Sequence, residues 1–129
     1  MRWYSLLVLG FLSLTLTDCQ HETTPAPCYG GTVLGETCRD GILVQVDEAY
    51  QIGKPAVYRI TSRDSLAGSN VLAIVNSLDT LNVKGRHFYF YYTGNTDQPS
   101  PARVCTANTT RLAIPHVAAT NLSTQVCLK

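Results

Sequence analysis

The chain lacks a concentrated basic face, a membrane-length apolar run, an internal repeat and the short motifs that mark a metal or a nucleophile. Of its 129 residues only 15% are charged, and the formal net charge is +1. The basic residues are scattered; their densest grouping is Lys84-Gly85-Arg86. Nucleic acid is held by clustered Lys and Arg, so no nucleic-acid partner is expected. There is no Cys-X-X-Cys, and the three histidines (His21, His87 and His116) are too far apart for a zinc pattern. No metal or cofactor is expected. No Gly-X-Ser-X-Gly elbow is present. The carboxylates Asp40, Asp47, Glu48, Asp64, Asp79 and Asp97 are dispersed, with nothing to mark a glycosidase pair. No catalytic residue is therefore expected. Asp40-Gly41 reads as a turn, the histidines as solvated or strand-edge residues, and Ser65 and Ser69 as members of a polar loop.

What the chain does have begins at its start. Met1-Arg2 is followed by an almost unbroken apolar run from Leu6 to Leu16. At about 11 residues it is too short for the roughly 20 that a spanning helix needs. A short positive start plus a short apolar core is the build of a secretory signal, here over residues 1–18. Leu16-Thr17-Asp18-Cys19 then resembles a bacterial lipobox, whose Cys is diacylated and becomes the mature N-terminus. Asp18 stands where a lipobox carries a small residue. Ordinary signal-peptide cleavage and free secretion are the alternative. Five cysteines are present, at 19, 28, 38, 105 and 127. An odd number leaves one unpaired in an oxidising compartment. Placing a lipid on Cys19 leaves four that can pair.

Gln20 to Pro27 has no large apolar side chain and two prolines, and reads as an extended tether. The remaining stretch, 28–129, is the size of one domain. Its periodicity is that of strands, expected at Gly31–Gly35, Gly41–Asp47, Ala56–Ser62, Arg86–Thr93, Ala102–Thr106 and Leu122–Leu128. In Arg86–Thr93, Phe88, Phe90 and Tyr92 share one face, while His87, Tyr89 and Tyr91 share the other. Val71–Val75 is apolar without a decisive period, and Asp64–Ser77 has room for one helix capped by Asp64 or Ser65. Short strands with turn residues every dozen positions indicate a mostly β domain. An OB-like Greek-key barrel is the first expectation and a compact sandwich the second.

Four cysteines allow three pairings. If Tyr29–Gly35 is extended, it carries Cys28 about 20 Å from the turn before Cys38, at about 3.3 Å per residue. A disulfide needs Cα atoms within about 7 Å. That favours the nested pairing, Cys28 with Cys127 and Cys38 with Cys105. A bend at Gly30-Gly31 keeps Cys28–Cys38 with Cys105–Cys127 open, and the crossed pairing is the third choice.

Cys28 to Val46, the segment Lys84–Phe90 and the tail Pro115–Cys127 resemble small uncharacterised lipoproteins of Gram-negative bacteria. The resemblance implies a β domain in the cell envelope and brings no activity or site. Outward-facing His87, Tyr89 and Tyr91 form a possible binding face for protein or carbohydrate; ordinary β-propensity is the favoured account of them. Asn108-Thr109-Thr110 and Asn121-Leu122-Ser123 match a eukaryotic N-glycan acceptor, and Asp64-Ser65-Leu66 and Asp79-Thr80-Leu81 a bacterial O-glycan pattern. The expectation is thus an envelope lipoprotein, anchored in the outer membrane through a palmitate-type lipid and facing periplasm or exterior. A freely secreted ligand-binding or inhibitor domain is the alternative.

Overall fold

The structure, a computed structural model, describes residues 27–59, 65–107 and 109–127. The expected signal at 1–18, Cys19 and the tether up to residue 26 lie outside the described residues. The described part is mostly β and carries two disulfides. Seven strands form one sheet: β1 Tyr29–Thr37, β2 Gly41–Val46, β3 Lys54–Arg59, β4 Ser65–Ile74, β5 His87–Tyr92, β6 His116–Val117 and β7 Ala119–Ser123. The order is β3-β4-β2-β1-β5-β7, antiparallel throughout, with β6 added parallel to β4.

The first hairpin shows why these residues form these strands. Thr37 pairs with Gly41 across a three-residue loop, Cys38-Arg39-Asp40. Gly41 has φ +91°, and a Cβ there would lie 2.5 Å from the Ile74 carbonyl oxygen. Only glycine fits that combination of positive φ and close backbone approach. Strand alternation then sorts β2 onto two cores. Ile42, Val44 and Val46 join Leu72, Ile74, Phe88 and Phe90 in the main cluster. Leu43 joins Tyr58, Val71, Ala73 and Ile114 in a second cluster on the opposite face. The strand is buried on both sides, hence its near-continuous apolar run.

The sheet is not closed by strand pairing. The segment that forms β6 and β7 links β4 to β5 instead, one strand in from the β3 end. Val75 N–H donates to the Val117 carbonyl, so β6 extends β4. Two residues later the chain crosses to pair with β5, Tyr92 opposite Ala119. The Asn76 side chain spans the crossing: its amide donates to the Ala119 carbonyl at 2.8 Å and its oxygen accepts from the Ala119 N–H at 2.8 Å. A side chain here takes the place of a ladder partner for both backbone groups.

Several expected elements are corrected. The helix suggested over Asp64–Ser77 is strand β4. Its Gly68-Ser69-Asn70 stretch, which looks like a breaker, is occupied by packing and bonding. A Cβ at Gly68 would sit 2.4 Å from a Val71 methyl. Buried Asn70 holds the 47–53 loop, accepting from Gly53 N–H at 2.7 Å and donating to the Tyr50 carbonyl at 2.6 Å. Ser65 and Ser69 therefore lie on a strand, not in a loop. Ala102–Thr106 is not a strand: Pro99 and Pro101 remove backbone donors, and the Arg103 N–H is spent locally on the Pro101 carbonyl. The last strand is Ala119–Ser123, so Leu122–Leu128 holds only its end. In β5 the alternation is as read: Phe88 and Phe90 are fully buried, His87 is exposed, and Tyr89 and Tyr91 are half-buried.

The disulfides are nested. Cys28 pairs with Cys127, Cα atoms 6.2 Å apart, and Cys38 with Cys105, 5.8 Å apart. One bridge lies at each end of β1. The first ties the two ends of the domain together. The second ties the β1–β2 turn to the long strandless segment between β5 and β6.

Candidate functional site

The strandless segment 93–115 owes its shape to contacts with the β1–β2 hairpin, and those contacts build the most elaborate polar cluster in the described residues. Arg103 bonds Glu36 at 2.7 Å, and Asn82 donates to the same carboxylate. The Arg103 bond, set against the opposing effect of burial, holds the Glu36 carboxyl below its ordinary value. Arg39 Nε donates to the Thr109 hydroxyl at 3.0 Å. Arg111 bonds the Gln98 carbonyl and reaches Asp97 at 3.4 Å.

Asp40 is the centre of the cluster. It is 1% exposed and His116, opposite it, 2%. His116 Nε2 lies 2.8 Å from Asp40 Oδ1, which also accepts from the Leu112 N–H at 2.9 Å. Asp40 Oδ2 accepts from the Thr37 hydroxyl at 2.6 Å, and the Asp40 N–H donates back to that hydroxyl. Burial alone would raise the Asp40 carboxyl. The hydrogen bonds from His116, Thr37 and Leu112 N–H, with the charge on His116, outweigh it and hold the group below its ordinary value. The other ring nitrogen, His116 Nδ1, faces the Ile114 carbonyl at 2.8 Å. Both ring nitrogens are thus engaged within the protein, one at the Asp40 carboxylate and the other at the Ile114 carbonyl. His116 is thus neither solvated nor an edge residue. It sits at the point where β6 joins β4, and Asp40 does more than shape a turn.

This pair does not have the geometry of a nucleophile and its base. The hydroxyl at hand, Thr37, is bonded to the carboxylate instead of the imidazole, and neither nitrogen of His116 is left for a substrate. Its evident work is to join the hairpin, the long segment and β6. No group of three or more His, Cys, Asp or Glu suited to a metal exists among the described residues.

Beside this cluster lies a cleft of about 320 Å³. Arg39 and Arg59 line it, with Thr109 and Thr110; Tyr58 and Leu112 supply apolar wall. Tyr58 is 3% exposed, burial raises its hydroxyl above the ordinary value, and that hydroxyl has no hydrogen-bond partner among the described residues. An unbonded buried hydroxyl costs about 1–3 kcal/mol. A larger, more open groove of about 600 Å³ runs between the 3-10 turn Asp79–Leu81 and the end of β7.

The residues read from sequence as a binding face fall elsewhere, on the outer side of β5. His87 Nε2 reaches both oxygens of Asp47, at 3.0 and 2.9 Å, across the intervening strand β1. Gly30 makes that crossing possible, since a Cβ there would lie 2.2 Å from Asp47 Oδ2. Tyr89 stands edge-on to the His87 ring at 5.0 Å. Of the other marked residues, His21 and Asn108 lie outside the described residues. Thr80 is exposed on the 3-10 turn, Ser65 is exposed at the start of β4 with Asp64 outside the description, and Asn121 is on β7. The Asp40–His116 contact joins residues 76 positions apart. No local pattern signals it.

No family model matches the chain, and neither a curated protein nor a solved structure is similar to it.

Proposed function

We propose that this protein is an exported binding or structural domain of the cell envelope, tethered to a membrane by a lipid on Cys19. One observation carries the proposal: the four cysteines of the domain pair with one another, which leaves Cys19 as the odd one. Two disulfides also suit an oxidising compartment outside the cytoplasm. The tether from Cys19 to Cys28 gives the domain at most roughly 30 Å of reach. Because Cys28 is bonded to Cys127, the anchored end is a stapled end, and tension on the tether is shared between β1 and, through the bridge, the C-terminal segment.

The test is fractionation of cells carrying Cys19→Ser. The wild-type protein is expected with the membranes and the substituted protein in the soluble fraction. Retention of Cys19→Ser in the membranes would sink the anchor. A wild-type protein that is already soluble would favour the freely secreted reading.

A further inference from the structure

We propose that the cleft at the Cys38 end of the sheet binds a small soluble organic anion, a phosphate or carboxylate carried on a short apolar body. Arg39 and Arg59 are among the residues that line the cleft of about 320 Å³. Neither makes an ion pair among the described residues. Asp40 shares the lining but does not cancel them. Its two oxygens are taken by His116, the Leu112 N–H and Thr37. Among the described residues, Arg39 and Arg59 are thus the lining charges without an ion-pair partner. Guanidinium forks are the side chains best matched to phosphate and carboxylate oxygens.

The rest of the lining sets the body of the ligand. Tyr58, Val57 and Leu112 give it apolar surface, and Thr109 and Thr110 add hydroxyls. The volume falls at the lower end of small-molecule sites and exceeds what a bare inorganic ion fills. The Cys38–Cys105 bridge and the Asp40–His116 bond hold two of the cleft's three walls, hairpin and long segment, against each other, while β3 supplies the third. Such pre-organisation lowers the entropic cost of binding.

The choice of a soluble anion over a lipid headgroup rests on the anchoring proposal. The tether enters at Cys28, and the cleft lies at Thr37–Asp40, the other end of β1. Nine strand residues put the two ends roughly 25 Å apart. The cleft then faces away from the membrane that holds the protein.

The experiment uses the exported Cys19→Ser protein, so that it does not depend on a lipid. Phenyl phosphate and inorganic phosphate are titrated while backbone amide signals are followed by NMR at constant ionic strength. Saturable shifts confined to Arg39, Arg59, Thr109 and Thr110 are expected, with phenyl phosphate the tighter ligand. Arg39→Gln and Arg59→Gln should each weaken it about tenfold, with the thermal midpoint retained as proof of folding. Non-saturating shifts, shifts spread over the whole sheet, or binding indifferent to both substitutions would overturn the site. A third arm uses vesicles of anionic phospholipid. Absence of binding is expected, whereas Arg39- and Arg59-dependent binding to vesicles would overturn the soluble ligand. Failure of the anchor in cell fractionation leaves the phosphate titration standing, so the two proposals fail separately.

Discussion

Replacing Asp40 by alanine deletes a buried carboxylate that accepts from three donors: the Thr37 hydroxyl at 2.6 Å, His116 Nε2 at 2.8 Å and the Leu112 N–H at 2.9 Å. Alanine leaves all three without that partner. An orphaned neutral donor costs about 1–3 kcal/mol. Removing one member of a buried ion pair costs about 3–5 kcal/mol. The losses fall at one site and do not add in full, so we expect a loss of about 3–5 kcal/mol for Asp40→Ala at pH 7. Asp40→Asn keeps the shape and should lose about half of that. The pH dependence follows from the sign of the shift. The folded carboxyl is held below its unfolded value, so its contribution is complete above about pH 4 and is lost as pH falls through the folded value. Urea melts followed by far-UV circular dichroism, with disulfides intact, measure both effects. The wild-type midpoint should fall between pH 5 and pH 2 more steeply than that of Asp40→Asn. An Asp40→Ala protein within 1 kcal/mol of wild type, or equal acid slopes for wild type and Asp40→Asn, would refute the reasoning.

Other substitutions separate the parts of the account. Phe90→Ala empties a fully buried site between β1 and β7 and should cost about 3–5 kcal/mol. Tyr91→Ala, next along the strand on the outer face, should cost about 1 kcal/mol. The opposite ranking in denaturant melts would mean a strand register one residue out. Gly41→Ala forces a Cβ against the Ile74 carbonyl at φ +91° and should destabilise by about 1–3 kcal/mol. A neutral result in thermal melts would show that the hairpin relaxes freely.

Where the sequence could be read, the reason is local alternation. Phe88 and Phe90 announce their own burial because every second residue of β5 is aromatic on the core side. The nested disulfides were favoured for a related reason: an extended β1 cannot bring Cys28 to Cys38. The features that escaped are those decided at long range. Ser65–Ile74 looks ambiguous because its Gly68 and Asn70 are chosen by neighbours on β2 and in the 47–53 loop, not by strand propensity. Ala102–Thr106 has the composition of a strand, yet two prolines and a disulfide leave it no edge to pair with. His116 and Asp40 read as ordinary residues of an edge and a turn. Only the folded position of the 93–115 segment brings them together, and the cleft beside them is a by-product of the same placement. Arg39 and Arg59, on a turn and a strand twenty residues apart, carry no signal of a shared site.

The most direct test of the account is the intact mass of the mature protein purified from its native membranes, measured before and after reduction. The expected result is a chain that begins at Cys19, carries a diacylglyceryl group there, and gains four hydrogen atoms when the two disulfides are reduced. A chain that begins at or near Gln20, or an unmodified Cys19, would contradict it.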